Sequence, residues 1–194
     1  LEVGCGSGAL VRLLAGHLSR AGLKRTKITA CDVNAFLLRE ATALAKTEGL
    51  GKSIRFEEGS AEALPYADEA FDNVFSITVL EECDADKAIA EMVRVTKPGG
   101  RIGIIVRSID LPQWWNVKIP DQLRVITDIP PQSVAPKGVA DASLYTRMRQ
   151  AGLRDLVCFP SLSTLDRPGS PIWRYREDHV LSQLSGDKLA IWRK

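Results

Sequence analysis

The sequence predicts an α/β domain built on a doubly wound, parallel sheet. Three observations carry that expectation. A glycine-rich turn, LEVGCGSGAL, joins a strand end to a helix start at the front of the chain. Short apolar runs then alternate with helical patterns of roughly ten to fifteen residues, the βαβ rhythm of a sheet covered on both faces. A Lys-Pro-Gly-Gly turn at 97–100 separates a helical pattern from the most apolar strand of the chain.

Each element follows in order. Gly4, Gly6 and Gly8 alternate behind the acidic Glu2 and the apolar Val3, and Leu10, Leu13, Leu14, His17 and Leu18 continue at helical spacing. Residues 27–33 read as a buried strand ending on Asp32, and 35–48 as a helix carrying Leu37, Leu38, Ala41, Leu44 and Ala45 on one face. SIRFEEG (53–59) alternates Ile54 and Phe56 against Arg55 and Glu57, and FDNVFSI (71–77) is a fourth strand. Residues 85–96 place Ala88, Ile89, Met92 and Val93 on one helical face, and 97–100 stops that helix, because proline and glycine cannot continue it. RIGIIV (101–106) is the fifth strand.

The rhythm breaks after Val106. Residues 108–139 hold five of the ten prolines and the adjacent Trp114 and Trp115. A loop of this length inside a compact domain is usually functional, and here it is expected to form a wall and lid for a substrate. A helix is expected over 140–151, through Ala142, Leu144, Tyr145, Met148 and Ala151, ended by Gly152. A strand at 153–162, a short helix near 173–185 and a final strand at 188–192 complete the expectation. With no internal repeat, residues 1–194 read as one domain with 108–139 as an irregular insertion.

Composition narrows the function. A hydrophobic content of 45% and a charged content of 26% are those of an ordinary globular protein. The net charge of +2 argues neither for nucleic acid nor for a membrane surface. No apolar stretch approaches the roughly 18 residues that span a bilayer. Cys5, Cys31, Cys83 and Cys158 form no CxxC pair and read as reduced thiols of a cytoplasmic protein. His17 and His179 are the only histidines, too few and too scattered for a zinc site. Strand end, glycine turn and helix start are what a nucleotide-type ligand asks for. Glycines let the backbone take positive φ and approach closely, and the helix start offers free N–H groups.

Glu2-Val-Gly4-Cys-Gly6-Ser-Gly8 resembles the first motif of the class I S-adenosylmethionine-dependent methyltransferases, an acidic residue followed by GxGxG. Further landmarks stand in the same order: Asp32 at the second strand end, GSAEALPY (59–66) after the third, FDNVFSITVLEE (71–82) and EMVRVTKPGGRIGIIV (91–106). The last is similar to the helix, turn and fifth strand of the small-molecule subgroup related to ubiquinone and menaquinone biosynthesis. The resemblance covers residues 1–107. It implies a Rossmann-like seven-stranded sheet in the order 3-2-1-4-5-7-6 with strand 7 antiparallel, and adenosylmethionine as cofactor. By resemblance, Glu2, Gly4, Cys5, Gly6, Gly8, Asp32, Val33, Ser60, Ala61, Ile77 and Thr78 bind it. Asp32 would accept from the ribose hydroxyls, Ser60 and Ala61 would lie beside the adenine, and Ile77 and Thr78 would border the methionine part. The acceptor implied is a small organic molecule, methylated at oxygen, carbon or nitrogen. No catalytic residue and no metal is assigned, because positioning an acceptor in line with the sulfonium supplies most of such catalysis.

Alternatives remain at this level. Gly4, Gly6 and Ala9 also satisfy the dinucleotide fingerprint, which would make the chain a nicotinamide-dependent oxidoreductase. Against it stand the extra Gly8, the acidic residue two places before the first glycine and the Pro-Gly-Gly turn. A domain that binds adenosylmethionine without catalysis is the other alternative. Cys5 reads as a small side chain inside the turn rather than a nucleophile, Glu81 and Glu82 as a solvated edge rather than a base, and His179 as a surface histidine. Only Leu1 to Val3 precede the turn, whereas a central strand needs about five residues. The chain is therefore expected to lack the front of its first strand and an N-terminal helix.

Overall fold

The computed structural model describes residues 1–23, 26–110, 118–128, 134–161, 169 and 171–192. They belong to two compact units: 1–108 with 134–156, and 109–133 with 157–194.

The first unit is an α/β layer structure. Its strands are β1 (Glu2–Val3), β2 (Ile28–Asp32), β3 (Ile54–Glu58), β4 (Phe71–Ile77) and β5 (Thr96–Ile105), all parallel in the order β3-β2-β1-β4-β5. Between them lie the helices α1 (Ala9–Arg20), α2 (Ala35–Thr47) and α3 (Ala85–Val95). β1 sits at the centre, with Val3 facing Cys31 of β2 and Ser76 of β4. Winding reverses between β1 and β4, so loops on either side of that point turn opposite ways and open a crevice at the carboxyl ends of the strands.

Both faces of the sheet are buried, as the apolar runs require. Ala30 joins Val11, Ala15, Leu38, Ala45 and Ile54 on one side, while its neighbour Cys31 joins Val3, Val74, Ile89, Met92 and Val95 on the other. Successive strand residues point to opposite faces, which is why two adjacent small residues serve two cores. Asn34 caps α2 by accepting from the Phe36 and Leu37 N–H groups, and Asp84 caps α3 through the Lys87 N–H. Gly152, at φ +87°, lies just beyond the C-cap of α5 (Ser143–Gln150), as the expected stop requires.

Three expectations need correction. On α1 the buried line is Val11 and Ala15, with Leu13 turned to solvent. The helix is rotated so that its smallest apolar residues meet the sheet. β5 starts at Thr96 rather than at 101, because Thr96 pairs with Phe71 before Arg101 pairs with Asn73. Lys97–Gly100 bulge out between, and a Cβ on Gly100 would stand 2.6 Å from the Asp72 carbonyl.

The third correction concerns strands six and seven, which do not form among the described residues. The described part of 153–162 has no strand: Asp155 turns to φ +53° and breaks extension, and Val157 and Phe159 are exposed. Residues 188–192 lie in α7 (Gly186–Trp192). A short apolar run cannot be told from a helix segment by periodicity alone.

The second unit is helical: α4 (Asp121–Thr127), α6 (Pro171–Gln183) and α7. Ile119, Leu123, Val180 and Leu184 form its core, with Ile126, Leu189, Ile191 and Trp192 packed around them. α4 occupies a stretch expected to be irregular, its signal being Leu123, Ile126 and Thr127 at helical spacing behind Pro120. Trp114 and Trp115 lie outside the described residues.

Candidate functional site

The glycine turn hangs from β2. The Gly4 and Cys5 N–H groups both donate to the Cys31 carbonyl, at 2.8 and 2.9 Å, and the Gly8 N–H closes the turn on the Cys5 carbonyl at 2.8 Å. Gly4, Gly6 and Gly8 all have positive φ, at 72, 52 and 72°. Their surroundings differ. A Cβ on Gly4 would stand 2.2 Å from Val79 Cγ2, and one on Gly8 would stand 3.0 Å from the Phe56 ring and 3.1 Å from Ala41 Cβ. A Cβ on Gly6 would meet nothing within 4 Å among the described residues. Gly4 and Gly8 are thus glycines for packing, and Gly6 is the one whose backbone faces open space. Beyond Gly8, α1 starts without a side-chain cap from its N-cap residue, and Glu2 from beneath engages the Val11 N–H of its first turn.

Asp32 braces this turn. Its Oδ2 accepts from the Gly6 N–H at 2.7 Å and its Oδ1 from the Asn34 N–H at 2.8 Å. Its carbonyl accepts from the Gly59 N–H at 3.0 Å, so one residue ties together the loops after β1, β2 and β3. Each carboxylate oxygen has a further lone pair, and the side chain is only half-buried. Val33 beside it is exposed.

Glu2 lies beneath the turn, 4% exposed, and among the described residues its Oε2 lacks a hydrogen-bond partner. Burial pushes its carboxyl up to about 7, against the opposing pull of the Val11 N–H at the start of α1. The side chain is therefore enclosed beneath the turn. Cys5 is also buried, and desolvation pushes its thiol up to about 12, so no thiolate is on offer there.

The other rim residues come from β3 and β4. Ser60 Oγ accepts from the Glu62 N–H at 3.2 Å, and Ala61 is buried. Glu91 and Arg94 of α3 hold this loop in place: Glu91 Oε2 accepts from the Leu64 N–H at 2.7 Å, and Arg94 donates to the Leu64 and Tyr66 carbonyls at 3.0 and 2.7 Å. Ile77 ends β4 half-buried, and the exposed Thr78 turns to φ +53°, its N–H bound to the Ile105 carbonyl at 2.8 Å. A β-branched residue in the left-handed region is strained by about 1–3 kcal/mol, and such strain gathers at functional sites. This turn places Val79 against Gly4.

Glu81 and Glu82 are not a solvated pair. Glu81 is fully buried, its Oε1 accepting from the Arg107 N–H at 2.7 Å. Glu82 is exposed, and the Arg107 guanidinium donates to it at 2.9 Å. His179 lies in α6 of the second unit, with Nε2 at 2.7 Å from Gln183 Nε2. Val79 and Arg107 stand beside these residues without any mark in the sequence pattern. Only the Gly4 close approach, invisible without coordinates, marks Val79. Among the described residues, no group of three or more His, Cys, Asp or Glu side chains could hold a metal ion.

A parallel α/β crevice with a braced glycine turn and an acidic strand end defines a domain that binds a nucleoside-bearing cofactor. Residues 1–104, more than half of the 194, match the methyltransferase domain family, and the chain belongs to that family. It is 34% identical over 106 residues to a ubiquinone/menaquinone biosynthesis C-methyltransferase (UbiE) of Legionella pneumophila, covering 54% of this chain and 41% of the relative. An uncharacterized protein of Mycobacterium bovis (Mb1440c) is 37% identical over 112 residues, with 54% and 40% covered. The chain thus matches less than half the length of these relatives. The [4+2]-cyclase SpnF is 27% identical with a TM-score of 0.56, over 77% of this chain and 49% of the cyclase. A methyltransferase described as dependent on S-adenosylmethionine, from Aquifex aeolicus, shares the fold at 19% identity and a TM-score of 0.58, over 79% and 70%. None of these supports the nicotinamide alternative.

Proposed function

We propose that the chain transfers a methyl group from S-adenosylmethionine to a small organic acceptor. The observation that carries this reading is the turn in which Gly6 faces open space while Asp32 holds its N–H. When bound, the cofactor supplies an electrophilic methyl on a sulfonium. The chain's own residues bind and orient it. The free lone pairs of Asp32 take the ribose hydroxyls, the turn passes beneath the amino-acid portion, and the first N–H groups of α1 favour its carboxylate. The Ser60–Ala61 loop, braced by Glu91 and Arg94, borders the adenine, and Ile77 and Thr78 border the methionine part. Catalysis then consists of holding the acceptor in line.

The acceptor side is assigned to the 108–139 segment, with Trp114 or Trp115 lining it, and the whole chain to one catalytic domain. Their rings offer the apolar or cation-facing surface that such an acceptor needs. Two features support a small molecule handled in the cytoplasm: the near-neutral charge, and four cysteines that are all free. A relative's name, a C-methyltransferase, favours carbon as the methylated atom. The likeness to a [4+2]-cyclase favours a second reading, in which the site binds the cofactor without passing on its methyl group. Incubation with methyl-labelled cofactor and a metabolite extract separates the two. Label in a small product supports transfer, and cofactor binding without any labelled product supports the second reading.

A further inference from the structure

The chain crosses between its two units three times, at 108/109, 133/134 and 156/157. Two of those crossings meet at one buried residue. Glu81 Oε1 accepts from the N–H of Arg107, just before the first crossing, at 2.7 Å, and stands 3.3 Å from Arg107 Nε. The Glu81 carbonyl accepts from the N–H of Ala135, just after the second crossing, at 2.7 Å. The returning segment is pressed close: a Cβ on Gly138 would stand 2.3 Å from that same carbonyl, and the Val139 N–H donates to the Leu80 carbonyl at 2.9 Å. Glu81 is 0% exposed, and among the described residues its Oε2 has no hydrogen-bond partner. A buried carboxyl group with an orphaned oxygen is costly, and a solvated edge would not carry one.

We propose that Glu81 is a positioning residue, a clasp that fixes where the 109–133 segment leaves and rejoins the cofactor unit. It touches neither cofactor nor acceptor. It acts by holding the exits of β4 and β5 together through Arg107 and the 134–139 return. The idea rests on the reading of the 108–139 segment as the acceptor side. The clasp at its root ties Arg107 and the 134–139 return to the loop after β4, three residues beyond Thr78.

Reach, rather than charge, is what the Arg107 N–H requires, and two variants separate them. Glu81→Asp keeps the charge and shortens the arm by one methylene; Glu81→Gln keeps the arm and removes the charge. Residue-resolved amide exchange on the intact chain, with and without adenosylhomocysteine, reads both. Glu81→Asp should exchange the Arg107 amide faster by on the order of tenfold and loosen 134–136, while Val3, Ala30 and Val74 keep their protection. Glu81→Gln should retain most of the Arg107 protection. The proposal is overturned if Glu81→Asp leaves Arg107 unchanged, if Glu81→Gln loses as much protection, or if the β1, β2 and β4 amides accelerate equally. A wild-type chain that fails to bind adenosylhomocysteine contradicts the proposed function instead. Its amide exchange still tests the clasp.

Discussion

The rim of the crevice and the segment 153–161 are built in opposite ways. At the rim each loop is fastened to the next: Cys31 holds the turn after β1, Asp32 holds that turn and the loop after its own strand, and its carbonyl holds Gly59. Along 153–161, Val157 and Phe159 stand 84% and 75% exposed, and Asp155 breaks the extension. Cross-bracing makes the first region intolerant of single changes. The second should absorb them.

The largest effect is expected at Gly4. Gly4→Ala drives a Cβ into Val79 at a positive φ, and about 4 kcal/mol of stability should be lost together with cofactor binding. Gly6→Ala, at an equally left-handed position with open space around it, should cost only about 1–2 kcal/mol while obstructing the ligand. Denaturant melts paired with calorimetry separate the two, and equal stability losses would break the distinction between packing and ligand-facing glycines. Leu123→Ala, in the core of the second unit, should cost that unit about 3 kcal/mol. Adenosylmethionine affinity should stay within about twofold, since the braces of the rim lie in the first unit.

A smaller effect depends on pH. Glu2 titrates near 7 when folded, against an ordinary value of 4.5, so the folded chain holds a proton that the unfolded chain releases. This contribution is full below about pH 4.5, and stability should fall as pH rises towards 7, by roughly 2 kcal/mol after solvent screening, then level off. Denaturant midpoints across that window should lose this slope in Glu2→Gln. Smallest of all, Val157→Thr should change stability by less than about 0.5 kcal/mol. A larger loss would mean that 153–161 is covered by something the exposure of Val157 does not reveal.

What was legible in the sequence follows the same division. β1, β2 and β4 each carry buried residues and are each followed by a helix, so local pattern and tertiary demand agree. The glycine turn was legible because positive φ and close approach both select one residue type. Which glycine meets Val79 and which meets open space was not, since that depends on the Thr78 turn arriving from β4. Glu81 looked like half of an acidic edge because nothing local announces that Arg107 and Ala135 return to it. KLAIW carried apolar residues without a period, and its state was decided by the α4 and α6 side chains it packs against.

The most direct test of the central claim is calorimetric titration of the wild-type chain and of Asp32→Ala with adenosylmethionine, each repeated with NADH. Asp32→Ala frees the Gly6 N–H and removes the acceptor assigned to the ribose. Hydrogen bonds to a charged group are worth roughly 1.5–3 kcal/mol, so affinity should fall on the order of tenfold to a hundredfold. The fold should survive, since the side chain stands at a strand end. Wild-type binding of adenosylmethionine with NADH silent, weakened by that margin in Asp32→Ala, is the predicted result. Unchanged affinity in the variant, or a preference for NADH, would contradict the cofactor site described above.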